Sequence, residues 1–291
     1  MKAVIFLIAS GAFCAVSPLG AQQPYKPPAV LHIIREDIKE GKAAAHEKTE
    51  AAFMQAAAKE HYPANILGLT SMTGTSVAVF LEGHDTFASI AASQEVMDKP
   101  ELGALDVADA ELRTSQRSIL AVYRPDLSYA VNKINLPKTR FFSIETMRIR
   151  EGQERGFMEL GKMVIDAAAK SGDTQPVAAY EVVSGAPTGT YLLLEPTESL
   201  KSMDEGLQHQ PAFFQAMGDE GMKRFAKAES ETIMNEESLL FAVSPQMSYV
   251  PQEWITADPE FWTPKPVEAT KAPAKAPAKT SAKTRKKPAA K

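Results

Sequence analysis

The sequence predicts an α+β fold in which one strand–helix–strand–strand–helix–strand unit, the split βαβ or ferredoxin-like arrangement, is written twice in tandem. Three observations predict it. Apolar periodicity switches between strand and helix in the same order in both halves. Residues recur at fixed spacing: Ile38, Glu40, Gly41 and Ala56 to Lys59 return as Ile149, Glu151, Gly152 and Ala167 to Lys170, an offset of 111, and Pro100 meets Pro211 at that offset too. Each half also ends on an apolar run followed by Pro-x-x-Ser-Tyr, closing at Tyr129 and at Tyr249, 120 residues later.

The elements follow in order. Met1-Lys2 and the apolar run Ala3 to Ile8 read as a signal peptide over residues 1–21, with cleavage after Ala21 and a linker over 22–28. The first unit, residues 29–136, opens with a strand over Val30 to Arg35. A helix over Lys42 to Glu60 is rich in Ala, Glu and Lys, and its apolar stripe runs through Ala45/His46, Thr49, Phe53 and Ala56/Ala57. Strands at Asn65 to Met72 and Ser76 to Leu81 flank a turn at Thr73-Gly74-Thr75. Asp85 is read as the N-cap of a second helix, which Pro100 interrupts, and Ile119 to Tyr123 is the closing strand. The second unit, residues 137–251, repeats the order: a strand over Thr139 to Met147, a helix over Glu151 to Lys170, and a hairpin of Val177 to Ser184 with Thr190 to Glu195. A helix over Glu198 to Asn235, broken at Pro211, and a strand over Leu239 to Val243 complete it.

Beyond the units, Trp254, Phe261 and Trp262 mark an aromatic extension over residues 252–264, read as packing back on the body. Residues 265–291 are Lys-, Ala- and Pro-rich with a net charge of +8, a disordered basic tail on an acidic body, since the whole chain sums to −4. The 44% hydrophobic and 23% charged content is ordinary for globular protein. Cys14 is the single cysteine and lies in the leader, so the predicted mature chain has no disulfide, thiol nucleophile or thiolate metal site. No Gly-rich phosphate loop, Gly-x-Ser-x-Gly elbow or His-Glu-x-x-His occurs, and no metal site is predicted.

Element order, the Pro-broken second helix and the internal repeat together resemble the dimeric α/β-barrel superfamily, which includes antibiotic-biosynthesis monooxygenases, NIPSNAP-like and EthD-like proteins, chlorite dismutases and dye-decolourising peroxidases. Gln208-His209-Gln210-Pro211-Ala212-Phe213-Phe214 is similar to a NIPSNAP-like pattern. The resemblance covers residues 29–251 and includes no family active-site motif. It implies one intrachain pseudo-dimer, with both sheets joined in a single barrel.

The candidate ligand-binding residues are His32, His46, Ser143, Glu145 and His209. At offset 111, His32 matches Ser143 and Ile34 matches Glu145, so one sheet face carries His32, Ser143 and Glu145, expected to converge inside the barrel as an acid–base pair or ligand clamp. The alternative is a hydrogen-bonded polar pair in the core. His46 replaces Phe157 on the helix stripe and is either a core histidine or, as the resemblance implies, an axial haem ligand between sheet and helices. His209, beside Pro211, caps the broken helix or stands at a pocket mouth, while His61 and His84 read as structural.

The function expected is an exported barrel protein, periplasmic or secreted, that is non-catalytic or binds a small apolar or aromatic ligand and needs no cofactor. Its tail would contact anionic envelope polymers or lipids rather than nucleic acid. The alternative is an oxygenase or haem-dependent enzyme of the same superfamily.

Overall fold

The computed structural model describes residues 25–263; the leader and the basic tail lie outside the described residues. In chain order the elements are β1 (Val30–Ile38), α1 (Ala43–Lys59), β2 (Ile66–Ser71), β3 (Val77–His84), α2 (Phe87–Met97), α3 (Pro100–Ala110), β4 (Arg113–Tyr123), β5 (Phe141–Ile149), α4 (Glu154–Ser171), β6 (Ala178–Ser184), β7 (Thr190–Thr197), α5 (Lys201–Thr232), β8 (Ile233–Tyr249), α6 (Gln252–Ala257) and α7 (Pro259–Trp262). The eight strands close into a barrel in the order β1-β3-β2-β8-β5-β7-β6-β4, every neighbouring pair antiparallel. The first four strands run β4-β1-β3-β2 and the last four β8-β5-β7-β6, so β2–β8 and β6–β4 are the seams between the two sets.

The pleat decides which residues see which layer, because successive side chains point to opposite faces. Leu31 and Ile33 of β1, Val79 and Leu81 of β3, Phe142 of β5 and Phe241 of β8 face the barrel interior, where they line cavities of about 280 and 740 Å³. The alternate residues face helices. Ile38, Phe53, Met54, Ala57, Phe80 and Met247 pack where α1, α2 and α3 cover the first four strands and the end of β8. Ile149, Phe157, Leu160, Ala179 and Tyr191 do so where α4 and α5 cover the last four. One barrel end is closed by α6 and α7: Trp262 is buried in the barrel cluster, and its Nε1–H donates to Pro137 O at 2.9 Å. Arg140 lies over the Phe261 ring at 3.7 Å and pairs with Asp258. No helix among the described residues is long and apolar enough to cross a membrane.

The two Pro-x-x-Ser-Tyr motifs stand at the seams. Ser248 Oγ accepts from the Gly68 N–H (2.9 Å) and donates to Ser244 O (2.6 Å). Ser128 Oγ accepts from the Ala179 N–H (2.9 Å) and donates to Arg124 O (2.7 Å). Each serine therefore satisfies a backbone donor of the neighbouring set at a point where the ladder register shifts or ends. At the first seam the strands approach so closely that a Cβ on Gly68 would lie 2.2 Å from Met247 O, which only glycine tolerates.

Several expectations are corrected. Pro211 does not break its helix; the interruption in α5 is at Gly218 (φ 69°, ψ 164°). Pro211 is exposed, where water can serve the carbonyl its missing N–H leaves free, whereas Gly218 enters the left-handed region without a Cβ penalty. Pro100, by contrast, starts α3 at its first turn, where no N–H is needed. The N-cap of α2 is Thr86, whose side chain accepts from Ser89 N–H, rather than Asp85. Strands β4 and β8 begin well before the apolar runs that announced them. Their early residues, such as Ser115 and Glu236, are exposed and polar yet paired in the ladder, so composition hid them.

Candidate functional site

Between α1, α2 and α3 and the outer face of β1, β3 and β4 lies a cavity of about 370 Å³. Its floor is the helix-facing side of β1, where His32, Ile34, Glu36 and Ile38 alternate with the interior residues. Two polar clusters meet it.

The first centres on Glu82 of β3, which lies directly opposite His32 in the β1–β3 ladder. Its buried carboxylate accepts from His32 Nδ1–H (2.9 Å), Tyr62 Oη–H (2.9 Å) and Ser93 Oγ–H (2.6 Å). Burial alone would raise the Glu82 pKa, but the hydrogen bonds from His32, Ser93 and Tyr62 outweigh it and hold the carboxyl below its ordinary value. Burial and the adjacent carboxylate push Tyr62 up, so Tyr62 stays a donor. The other ring nitrogen of His32, Nε2, is 2.8 Å from Ser118 Oγ on β4. An ionised carboxylate only accepts, so Nδ1 carries a proton, and in the neutral ring Nε2 is then the acceptor toward Ser118. His84 completes the group with Nδ1 on Ser89 Oγ (3.1 Å), while its Nε2 lies 3.0 Å from Glu82 without hydrogen-bonding geometry.

The second cluster closes the far end of the cavity. His46 of α1, 2% exposed, has Nε2 2.7 Å from Glu36 Oε2 and 3.6 Å from Asp109 Oδ2. The Arg113 guanidinium pairs with Glu36 Oε1, with Asp109 Oδ2 (3.2 Å) and with Asp106 Oδ1 (2.6 Å). Glu50, one helical turn after His46, is buried and makes no hydrogen bond to any described residue. Burial, then the like charges of Glu36 and Asp109, push its carboxyl up to about 9. Burial likewise raises Asp109, whose Oδ1 is enclosed without a partner. The buried stripe of α1 is thus His46, Glu50, Phe53, Met54, Ala56 and Ala57, and Ala45, expected on it, is exposed.

The expected convergence of His32 with Ser143 and Glu145 inside the barrel does not occur. With residues 31 and 33 and residue 142 in the interior, His32, Ser143 and Glu145 must all point outward. β1 and β5 are four places apart in a ring of eight, on opposite walls, so His32 faces the first helical layer and Ser143 and Glu145 the second. Ser143 Oγ lies 3.5 Å from Ser238 Oγ. Glu145 lines a second cavity of about 560 Å³ with Glu195, Glu236 and His209; His209 Nε2 is 3.2 Å from Ser171 Oγ. Burial and the neighbouring Glu236 push Glu145 up to about 8, and burial raises Glu195.

Sequence reasoning selected His32 and His46 but missed Glu36, Glu50, Glu82, Asp109, Arg113 and Ser118. Glu50 was within reach, because it repeats His46 at i+4 on a stripe that should be apolar. The others come from separate strands and helices, and nothing local marks them.

Haem does not fit either cavity. In the first, His46 is not on the cavity wall and its Nε2 faces Glu36 and Asp109, while both ring nitrogens of His32 are engaged. In the second, Glu145, Glu195, Glu205, Glu229, Glu236 and Asp173 line the wall with no lysine or arginine to receive propionates.

No family profile matches the sequence, and no curated protein does. Solved structures do match. An anthrone oxidase-like protein superposes with a TM-score of 0.50 at 10% identity, covering 77% of this chain and 94% of that one. The eight-stranded antiparallel barrel covered by helices is the fold the two share. A chlorite dismutase variant from Candidatus Nitrospira defluvii covers 80% of this chain and 96% of its own at 10% identity, with a TM-score of 0.48. A NIPSNAP domain protein from Burkholderia xenovorans, 20% identical, matches 33% of this chain with 95% of its own length at a TM-score of 0.29. At these identities the likeness extends to the fold, and the chemistry has to be argued from this chain's own residues.

Proposed function

We propose that the cavity of the first half binds a small, largely apolar molecule bearing an acidic O–H or C–H, and that His32 removes that proton. The observation that carries this reading is the Glu82–His32–Ser118 relay at the cavity wall, with steps of 2.9 and 2.8 Å. Glu82 fixes the tautomer and stabilises the imidazolium that forms, and Nε2 is the acceptor. Ser118 Oγ–H occupies the position that the ligand's acidic group would take. Ile34, Phe53, Met54, Ile66, Phe80 and Met97 supply apolar walls suited to an aromatic or alicyclic body. An anion made from a phenol or an enolisable ketone is the species that dioxygen attacks in cofactor-free oxygenation. The oxygenase alternative is therefore the form of enzyme this reading favours, and the name of the anthrone oxidase-like neighbour agrees with it.

The same proposal takes the chain to be two tandem ferredoxin-like units fused into an intrachain pseudo-dimer. The matching strand orders β4-β1-β3-β2 and β8-β5-β7-β6, the paired seam serines and the offset of 111 support it. Export by the leader, and contact of the basic tail with anionic envelope polymers or lipids, complete the proposal on the sequence alone.

Anthrone is a suitable probe, since its benzylic C–H is acidified by the ketone. In D₂O the full chain should accelerate loss of that proton, followed by NMR. His32→Gln should slow the exchange by about 10²- to 10⁴-fold, the range for a lost general base, while Ser118→Ala should retain it. Loss of exchange in Ser118→Ala would move the chemistry to the serine. Saturable anthrone binding without exchange would leave a binding protein in place of an enzyme.

A further inference from the structure

Glu36, His46, Glu50 and Asp109 each offer one ligand atom, and these atoms lie within 4.8 Å of one another, all four residues buried. We propose that this cluster is a site for one first-row divalent metal ion, held by His46 Nε2 and by carboxylate oxygens of Glu36, Glu50 and Asp109. The site stands apart from the proton-transfer reading, whose residues are His32, Glu82 and Ser118.

An acidic cluster alone would not carry this. Two further observations do. Asp109 Oδ1 is fully enclosed and has no hydrogen-bond partner, although Asp109 is 1% exposed. Glu50, 8% exposed, has no hydrogen bond among the described residues and lines the cavity. Buried carboxylates without partners are expensive, and native proteins rarely leave them so. Arg113 uses Glu36 Oε1 and Asp109 Oδ2, which leaves Glu36 Oε2 facing His46 and Asp109 Oδ1 free. Arg113 thus stands where an outer-shell cation would orient the Glu36 and Asp109 carboxylates beside an ion.

The donor set selects the ion. One imidazole with three carboxylates suits Mn²⁺, Fe²⁺, Co²⁺ or Zn²⁺, whereas Ca²⁺ prefers oxygen alone and Cu⁺ prefers sulfur. Donors at about 2.0–2.2 Å from one ion lie roughly 3.4 Å apart in a tetrahedron and about 4.2 Å apart when trans, so pairs near the 4.8 Å limit must close by about 0.5–1.5 Å on binding. The Glu36–His46 hydrogen bond would be exchanged for two metal bonds. Access runs through the cavity, which Glu36, Glu50, Asp106 and Arg113 line. The second half provides a control within the same molecule: at offset 111, Met147, Phe157 and Gly161 stand where Glu36, His46 and Glu50 do, and none of them ligates hard cations.

The test uses the full chain, stripped with chelator and titrated with Mn²⁺, Zn²⁺ and Co²⁺. One equivalent should bind, Co²⁺ should give d–d bands in the visible spectrum, and the unfolding midpoint should rise with metal concentration. His46→Phe, which copies the residue at the matching position of the second half, and Glu50→Gln should each weaken binding at least tenfold. Circular dichroism of both variants, together with Glu145→Gln in the other cavity as a control that keeps full affinity, separates a lost ligand from a lost fold. Absence of a stoichiometric ion in the wild-type chain, or unchanged affinity in both folded variants, would overturn the site.

Discussion

The two helix-covered faces of this barrel are built on one plan and filled in opposite ways. In the first, His32 lies across from Glu82; in the second, Ser143 lies across from Glu195 at the corresponding place in the ladder. The first face surrounds Glu82 and Glu36 with hydroxyls and cations, so Glu82 stays below its ordinary pKa, although burial drives Glu50 and Asp109 beside Glu36 up. The second leaves its carboxyls next to one another in an apolar pocket, where Glu145 and Glu195 are driven up. His46 sits near the Phe80 ring (6.5 Å between centroids), whereas Phe157 packs on Tyr191 (4.5 Å). Packing can be satisfied at both places, so the polar layer is no requirement of the fold. A buried ionic network usually gains little stability over an apolar one. Its presence in one half only is the physical reason for placing function there.

The contrast can be broken in three ways. The largest effect should come from Arg113→Ala, which strands Glu36 and Asp109. Removal of one partner from a buried pair costs about 3–5 kcal/mol, to be read from urea denaturation; a cost under about 1 kcal/mol would mean that the network is hydrated and the contrast superficial. Next, Phe157→His imports the first half's residue to a place where it would pack on Tyr191, with Met147 and Gly161 at the positions that Glu36 and Glu50 hold beside His46. A buried unsatisfied polar group costs about 1–3 kcal/mol, on the same assay.

Smaller still, because the open cavity keeps Glu145 partly hydrated, is the pH dependence of the second face. Glu145 has its pKa raised from 4.5 to about 8, so the folded state binds its proton more tightly than the unfolded chain. Its stabilising contribution is complete below pH 4.5 and is lost as pH rises through 8. Thermal midpoints of the wild type should therefore fall across that window relative to Glu145→Gln. Parallel pH curves would show that Glu145 ionises freely.

The fold was legible where the two halves of the sequence match. The offset of 111 placed β1, α1, β5 and α4, and the Pro-x-x-Ser-Tyr endings located the closing strands, because local pattern and global architecture agree there. The beginnings of β4 and β8 were hidden because residues such as Gln116 and Glu237 are strand by pairing rather than by composition. The Gly218 kink was misplaced because proline is the louder breaker. In the site, His32 and His46 stood out as places where the halves differ. Their partners did not, since Glu82 and Asp109 reach them only after the barrel and helices have assembled, across separations of 50 and 63 positions.

The seam serines bear on how the molecule holds together as an object. Closure rests on two non-covalent seams, the β2–β8 and β4–β6 ladders with Ser248 on Gly68 and Ser128 on Ala179 as their clasps, and the chain passes from one set of strands to the other only once, between β4 and β5. That single covalent crossing acts as a tether, which raises the local concentration of one set around the other without forming either joint. A protease nick between residues 130 and 140 would cut the tether and leave both clasps fastened. Released from each other, the halves would present four open strand edges, and the surfaces best shaped to cover them are one another's.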